Sequence, residues 1–196
     1  MHFEVDKAYH IYNRSNETVF FSDDNYLYFL KKVNRLIKPY SEILAWCLMP
    51  NHFHFLVVAN SMSCELVEEK HRPITQQLAK NIGTLLSSYT RAINKLKHRR
   101  GKLFAHNTSA KCLNDQMNNE YFLDNCFHYV HQNPVRARLC AHPKDWEFSS
   151  YRDYAGIRNG KLVNMELASE MLNNDIDNFE ALSKVLIDES KLKGLF

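Results

Sequence analysis

Two histidines stand two residues apart in the segment Met-Pro-Asn-His-Phe-His-Phe-Leu-Val, at His52 and His54. Alternate side chains of a β-strand point to the same face, so a strand here would present both imidazoles together, with Phe53 and Phe55 on the other side. Neutral imidazole binds several divalent metals, and a strand fixes the spacing of the pair. Two imidazoles do not complete a coordination sphere, so the pair alone also fits two ordinary histidines on an exposed sheet face.

A tyrosine and an asparagine offer what the histidine pair lacks. Tyr129 and Asn133 stand four residues apart in a segment with helical periodicity, so they share one face of that helix. They are a candidate nucleophile and a candidate oxygen ligand. A phenol with an ordinary pKa of about 10 is a poor nucleophile, so it would need a metal or a cation beside it. Tyr129 is one of ten tyrosines, and taken alone a packing role is the ordinary interpretation.

Charge is distributed unevenly along the chain. The net charge is +3, yet residues 70–114 contain ten Lys and Arg side chains and no Asp or Glu. Residues 165–196 have the opposite bias, with seven acids against three lysines. A solvated helix face is the ordinary alternative for such charges. A span of one charge sign this long favours a polyanionic partner.

Composition bounds the class of protein. A chain of 196 residues with 45% hydrophobic residues suits one buried core. The five cysteines are scattered without a Cys-x-x-Cys pair, which favours reduced thiols. The N-terminal residues lack the pattern of a signal peptide, and no apolar stretch of membrane-spanning length is present. We therefore expect a soluble cytoplasmic protein that does not enter a membrane.

The elements that would position these side chains follow from hydrophobic periodicity and turn residues. Two apolar runs flank Pro50-Asn51, which predicts a β-hairpin whose second strand carries both histidines. The helix that carries Tyr129 should end near Asn133, because a residue before proline avoids the α region. The predicted strands are Lys7–Arg14, Glu42–Met49, His52–Ala59 and a short strand or strand pair within Leu103–Leu113. The predicted helices are Ser22 to Pro39, Ile74–His98, Asn119–Gln132, Asn164–Leu172 and Phe179–Leu192.

This order of elements predicts an α+β, ferredoxin-like fold. In that fold an antiparallel sheet carries helices packed on one face. The acidic segment would add a helical C-terminal tail. We divide the chain into a main domain at residues 1–160 and an acidic helical extension at residues 161–196.

Four segments between Tyr9 and Tyr154 resemble the HUH single-tyrosine transposases, in the branch associated with repetitive extragenic palindromes. The segments occur in the family's order, and one small departure is Trp146-Glu147, where members often have Trp-Pro. The segments are Tyr-His-Ile-Tyr-Asn-Arg, the histidine segment, Tyr-Val-His-Gln-Asn-Pro-Val-Arg-Ala and Asp-Trp-Glu-Phe-Ser-Ser-Tyr.

The resemblance implies a catalytic domain that cleaves and rejoins DNA through a 5′-phosphotyrosine intermediate. It makes His52 and His54 metal ligands, Asn133 a third ligand and Tyr129 the nucleophile, with Mg²⁺ or Mn²⁺ as the metal. Its substrate would be hairpin-forming single-stranded DNA, acted on by a monomer or a homodimer. Tyr89 and Phe104 would stack on unpaired bases. The expected phosphate-binding residues are Arg14, Arg91, Lys95, Lys97, Arg99, Arg100, Lys102 and Arg136.

Two other functions fit parts of the sequence. A catalytically idle hairpin-binding protein would keep the fold and the basic surface, although His52, His54, Tyr129 and Asn133 are all intact. A zinc hydrolase would use the histidine pair but commonly adds an Asp-His pair nearby, whereas Phe55-Leu56-Val57-Val58 follows here. His10, His128 and His131 also need weighing, and the last two fall on helix positions that point away from Tyr129 and Asn133.

Overall fold

A four-stranded antiparallel sheet is the centre of the computed structural model, which describes residues 1–68, 70, 73–104, 107–114, 121–172, 178–193 and 195. Its spatial order is β2-β3-β1-β6, the order of a ferredoxin-like sheet. The α+β fold class predicted from the sequence is confirmed. The strands are β1 (Ala8–Arg14), β2 (Ser41–Met49), β3 (His52–Ala59) and β6 (Ser109–Cys112), with a separate pair of short strands, β4 (Leu66–Val67) and β5 (Thr75–Gln76).

The helices of the described residues follow the predicted order, with two short additions at α2 and α5. They are α1 (Asp23–Leu36), α2 (Ser61–Cys64), α3 (Gln77–Leu96), α4 (Phe122–Arg136), α5 (Tyr151–Tyr154), α6 (Met165–Met171) and α7 (Phe179–Lys184). Short 3-10 helices cover Lys38–Tyr40, Pro143–Asp145 and Glu189–Leu192. Outside the described residues lie Asn119 of the predicted third helix, Ala105 of the predicted short strand and Arg72 of the basic span. No helix among the described residues has the length and apolar character needed to cross a membrane.

The β2–β3 hairpin turns at Pro50-Asn51, as predicted. The chain that follows β1 holds this turn in place. The Ser15 amide donates to the Asn51 carbonyl at 2.8 Å, and the Val19 amide donates to the Pro50 carbonyl at 2.7 Å. The ends of β1 and β3 are therefore fixed together at one end of the sheet.

Helices cover both faces of the sheet, whereas the sequence prediction placed them on one. α1 and α3 pack on the face that carries Phe53 and Phe55. α4 and the C-terminal helices cover the opposite face, where Leu44, Cys47 and Leu56 are buried. β2 and β3 are near-continuous apolar runs, and such strands require cover on both sides. The second helical layer brings α4 over the face that carries the histidines.

α4 continues through Pro134 to Arg136, so the prediction that it ends near Asn133 is wrong. The preference of a pre-proline residue for extended backbone is a bias that burial overrides here, since Asn133 and Pro134 are both buried. Beyond the proline, the Ala137 amide donates to the Asn133 carbonyl at 2.9 Å. The extra turn has a consequence for the site, because Tyr129, Asn133 and Arg136 then follow one another at helical spacing along one face.

The acidic extension packs against α4. The predicted helix Phe179–Leu192 is divided into α7 and the 3-10 helix Glu189–Leu192, with extended backbone between them. The Gln132 side chain accounts for the interruption, because its Nε2 donates to the Val185 carbonyl at 2.7 Å and its Oε1 accepts from the Ile187 amide at 3.0 Å. These bonds satisfy backbone groups that a helix would otherwise pair internally.

Phe179 anchors this extension and supplies the first test. Its ring is 2% exposed and contacts the rings of Phe127, His131, Tyr151 and Tyr154. We predict that Phe179→Ala lowers the free energy of unfolding by about 3 to 5 kcal/mol, the usual cost of such a cavity.

Urea denaturation followed by tryptophan fluorescence measures this change. The matched control is Leu186→Ala, at a position in the same segment that is 53% exposed, and its effect should be small. Equal effects of the two substitutions would show that the extension contributes no core.

Candidate active site

The β1–β3 register gathers polar side chains on the sheet face that α4 covers. Arg14 lies directly opposite His52, and Tyr12 lies directly opposite His54. His10 is the diagonal neighbour of His54 on the same face, since it pairs with Leu56. The prediction that His52 and His54 project together is confirmed, and their ring centroids are 5.0 Å apart.

α4 brings Tyr129 and Asn133 to this histidine pair. The ring of Tyr129 meets His54 edge to face at a centroid distance of 5.7 Å. The carboxamide of Asn133 interacts with both histidines and with the Tyr129 phenol. Its Nδ2 also donates to the Tyr129 carbonyl at 2.9 Å. The structure therefore assembles the four residues that the sequence singled out from two separate segments.

The Asn133 carboxamide is a minor influence on the pKa values of its neighbours. Its hydrogen bonds raise the pKa of each histidine and lower the pKa of Tyr129, while burial acts more strongly in the opposite direction on all three groups. A carboxamide beside two imidazoles can add one oxygen ligand to a divalent metal that the histidines bind.

The histidines are neutral at pH 7. Burial lowers the pKa of His52 to about 4, with the positive charge of Arg14 as the second cause. Burial also lowers the pKa of His54 well below its usual value. A neutral imidazole keeps the lone pair that a metal requires. The Nδ1 of His52 donates to the Asn51 side-chain oxygen at 2.7 Å, which leaves its Nε2 as the available ligand atom.

The described residues contain no cluster of three His, Cys, Asp or Glu side chains suited to a metal. His52, His54 and the Asn133 oxygen are thus the protein ligands on offer, and further positions would be filled by water or phosphate oxygens. Mg²⁺ and Mn²⁺ accept such oxygen ligands and commonly keep water. A structural zinc site, closed by four Cys or His ligands, does not fit this set.

Tyr129 is protonated in this environment. Burial raises the pKa of its phenol to about 12, whereas Asn133 and the positive charge of Arg136 act in the opposite direction. The Arg136 guanidinium lies 5.5 Å from the centroid of the Tyr129 ring. This cation, together with Asn133, stabilises a phenolate or an attacking phenol that loses its proton.

A cleft of 630 Å³ opens over these residues, with His52, Tyr129 and Asn133 in its wall. It is large enough for a nucleotide-sized group. Three cations and one acid complete the polar lining, so the cleft favours an anion. These charged residues are Arg14, Arg136, Lys193 and Glu189. Sequence reasoning missed Glu189 and Lys193, because nothing local to the acidic segment indicates that it folds back to the cleft.

His128 and His131 are buried and do not line the cleft. His128 hydrogen-bonds through Nδ1 with the Ser183 hydroxyl at 2.8 Å, and His131 through Nε2 with the Ser150 hydroxyl at 2.7 Å. Both histidines point away from the cleft, as their helix positions predicted, and these contacts give each a structural role. Ser183 belongs to α7, so His128 connects the acidic extension to α4.

The predicted stacking of Tyr89 on unpaired bases is wrong. Its ring is fully buried on the inner face of α3, and its hydroxyl donates to the Val19 carbonyl at 2.8 Å. Phe104 is 8% exposed and packs against Phe53. Both aromatic side chains belong to the core between the sheet and the helices α1 and α3, so neither offers a face to a base.

The basic residues on α3 and directly after it lie on the opposite face of the sheet from α4, whereas Lys111 of β6 is paired with His10 and shares its face. Arg91, Lys95, Lys97, Arg100 and Lys102 are exposed. Arg99 forms an ion pair with Glu17 at 2.6 Å, and Lys97 also covers the ring of Phe21 at 4.5 Å. The span reaches the end of the sheet where the cleft lies, because the Ser15 hydroxyl donates to the Leu103 carbonyl at 2.7 Å.

Acid should destabilise this fold through its buried histidines. For His128, burial lowers the pKa in the folded state to about 4, while the unfolded side chain keeps a pKa near 6.5. The unfolded state therefore binds the proton first as the pH falls. The stability contributed by neutral burial is present above about pH 6.5 and is lost toward pH 4, at up to about 1.4 kcal/mol per pH unit for each such histidine.

We predict that His128→Gln makes the dependence of unfolding free energy on pH shallower between pH 6.5 and 4. Urea titrations at several pH values in EDTA measure this slope. His142→Gln, at an exposed position, is the matched control and should keep the wild-type slope. A His128→Gln slope equal to that of wild type would contradict the prediction, whatever its effect on stability at pH 7.

Among solved structures, the chain is similar to a REP-associated tyrosine transposase bound to a REP hairpin. The match covers 90% of this chain and 90% of that chain, with a TM-score of 0.60 and 12% sequence identity. No protein-family model matches the chain, and no curated protein sequence does. The resemblance drawn from the four sequence segments is thus confirmed in three dimensions: this chain has the fold of a REP-associated tyrosine transposase.

Proposed function

We propose that this protein is a metal-dependent single-tyrosine transposase that cleaves and rejoins hairpin-forming single-stranded DNA. One observation carries the proposal. Tyr129 and Asn133 of α4 meet the histidine pair of β3, and a cleft that holds Arg14 and Arg136 opens at His52, Tyr129 and Asn133, with His54 buried beneath. A nucleophile, a candidate metal site and cations for a phosphate are the parts that phosphoryl transfer by a tyrosine needs.

The chemistry follows from the position of Tyr129. Its oxygen attacks the scissile phosphorus in line, and the bond from phosphorus to the 3′ oxygen breaks. The phosphoryl group stays on the tyrosine as a 5′-phosphotyrosyl ester, and the 3′ oxygen leaves as a free hydroxyl after taking up a proton. Because the ester keeps the phosphodiester energy, a 3′ hydroxyl can attack it later and rejoin strands without ATP.

Each neighbour of Tyr129 has a role in this step. Arg136, over the phenol ring, favours the loss of the phenolic proton. Arg14, opposite His52, is placed to neutralise charge on the phosphate. His52, His54 and Asn133 would hold Mg²⁺ or Mn²⁺, which when bound polarises the phosphate oxygens.

The substrate class rests on charge and on the similarity of fold. The solved structure of similar fold contains a REP hairpin, which supports a DNA hairpin as the ligand here. The segment that carries five exposed cations of the span 70–114 runs to Leu103, which is hydrogen-bonded to Ser15 at the end of the sheet where the cleft opens. A hairpin bound there would present a flanking single strand to Tyr129 while its phosphates contact the basic span.

Covalent capture tests the proposal most directly. We predict that the wild-type protein, incubated with Mn²⁺ and labelled single-stranded oligonucleotides that form hairpins, yields an adduct that survives denaturing electrophoresis. Tyr129→Phe should remove the adduct, since it removes only the attacking oxygen, and should leave hairpin binding in EDTA within a few-fold of wild type.

Two tyrosines serve as comparisons. Tyr121→Phe changes a tyrosine that is 53% exposed just before α4 and should keep full adduct formation. Tyr12 contacts His54 from β1, so Tyr12→Phe tests the nearest alternative nucleophile. An adduct that persists in Tyr129→Phe and disappears in Tyr12→Phe would reassign the nucleophile. Hairpin binding by the wild type with no adduct in any metal would favour the catalytically idle binding protein.

The basic span makes a separate prediction about salt. We expect Arg91→Gln combined with Lys95→Gln to weaken hairpin binding. The slope of log affinity against log salt should also fall, by about 0.7 to 0.9 for each phosphate that the variant no longer neutralises. Filter binding or fluorescence anisotropy between low and physiological salt measures the slope.

Lys144→Gln combined with Lys161→Gln is the matched control, because both lysines are exposed and lie outside the span. It should keep the wild-type slope. If both double variants change the slope equally, the charge acts through the whole protein and the span is not the surface that binds the hairpin.

A further inference from the structure

His10 is a buried histidine on β1 that the proposed chemistry does not use. It is 1% exposed, on the sheet face that α4 covers. Leu56, which lies directly opposite His10 on β3, is apolar and fully buried. Burial lowers the pKa of His10 to about 4, so the ring is neutral. Burying an uncharged imidazole still costs free energy unless its nitrogens are hydrogen-bonded, so the hydrogen-bond partners of His10 decide whether its burial is tolerated.

The partner of His10 is His54. The Nε2 of His10 and the Nδ1 of His54 are 2.9 Å apart, and the two rings are 5° from parallel with centroids 5.1 Å apart. These three values together describe rings that meet edge to edge in nearly one plane. That is the direction in which an imidazole lone pair or N–H points, so the contact is a well-aligned hydrogen bond.

The atom that a metal needs decides which nitrogen must donate. Nδ1 of His54 faces His10, so Nε2 is the nitrogen of His54 that remains for a metal, and a metal requires its lone pair. The hydrogen of a neutral His54 ring must then lie on Nδ1. Nε2 of His10 is the acceptor that this arrangement requires.

We propose that His10 is a positioning residue that fixes His54 with its hydrogen on Nδ1 and its Nε2 lone pair directed to the metal. Hydrogen bonds to the second nitrogen of a metal-binding histidine set its tautomer and the orientation of its ring. The inference rests on the proposed function for the identity of the ligand, and it adds to the site a further residue of β1, the strand that also carries Arg14.

The ring of Tyr12 supports the same role. It lies 5.4 Å from His54 and 6.0 Å from His10 between centroids, and it is within 13° of parallel with each. Tyr12 therefore restricts rotation of the His54 ring, while His10 selects its tautomer. The two effects are separable. A side chain at position 10 that lacks an acceptor would remove the hydrogen bond to His54 and leave the stacking of Tyr12 on His54 in place.

The test reads the tautomer directly, in protein without metal. Long-range proton–nitrogen NMR spectra of ¹⁵N-labelled wild type should show His54 and His10 with hydrogen on Nδ1. His10→Leu removes the acceptor, so His54 should shift toward a mixture of tautomers. His10→Gln offers a side-chain oxygen near the position of Nε2, and it should restore the wild-type state of His54.

Metal affinity is the second readout. Mn²⁺ binding, followed by electron paramagnetic resonance of the free ion, should weaken about 10- to 100-fold in His10→Leu. The affinity should recover to within a few-fold of wild type in His10→Gln. Hairpin binding in EDTA should be equal in all three proteins, which separates the effect from general loss of structure.

Two results would overturn the inference: a wild-type His54 with its hydrogen on Nε2, or equal Mn²⁺ affinities for the Leu and Gln variants. The wild-type spectrum decides the first even if His10→Leu does not fold. The positioning role is supported if His54 has its hydrogen on Nδ1 in the wild type and becomes a mixture of tautomers in His10→Leu. If that same wild type binds no Mn²⁺, it is the proposed metal-dependent function that fails.

Discussion

The packing of α4 against the β2–β3 hairpin is the contact on which the site depends. β3 supplies two imidazoles and α4 supplies a phenol, a carboxamide and a guanidinium, and neither set is a site by itself. The contact is apolar, with Phe127 and Val130 of the helix buried beside Cys47 and Leu56 of the hairpin. Burial of such side chains contributes about 1.5 to 3 kcal/mol each, so the core, rather than the polar groups, holds the two halves together.

The same burial has opposite effects on the two kinds of functional group. It keeps His52 and His54 neutral, which is the state a metal needs. It also raises the pKa of Tyr129 and so opposes the phenolate that would attack. A low-dielectric site can keep the histidines neutral and still favour the phenolate only if positive charge is brought beside the tyrosine. Arg136 provides part of it, which gives the continuation of α4 through Pro134 a chemical consequence as well as a structural one.

Local patterns predicted the parts of the site that depend on local geometry. The two-residue spacing of His52 and His54 and the four-residue spacing of Tyr129 and Asn133 each fix a common face, and the structure keeps both. The contact between His10 and His54 depends on strand register across 44 residues, which periodicity does not encode. The approach of residues 189–193 to the cleft is also a tertiary contact, with no local signal in the acidic segment.

The stacking role expected of Tyr89 is wrong for a related reason. Its basic neighbours suggest a surface, but its position in the 3.6-residue repeat places it with Leu85 and Ile93 in the core. The second helical layer is likewise indicated only by the continuous apolar residues of β2 and β3, the pattern of strands covered on both sides.

Position within the sheet connects the two surfaces that a hairpin would contact. The cleft and the exposed cations on and directly after α3 lie on opposite faces, but the chain that carries these cations contacts the end of the sheet where β1 finishes. Arg14 lies in the cleft wall, and the next residue, Ser15, is hydrogen-bonded to Leu103 at the end of the basic span. A nucleic acid that follows positive charge around this end passes from one face to the other over a short path. A folded stem with a single-stranded flank has that shape, whereas a long rigid duplex does not. The geometry of the sheet end, and not the total charge of +3, is therefore the stronger argument for a hairpin.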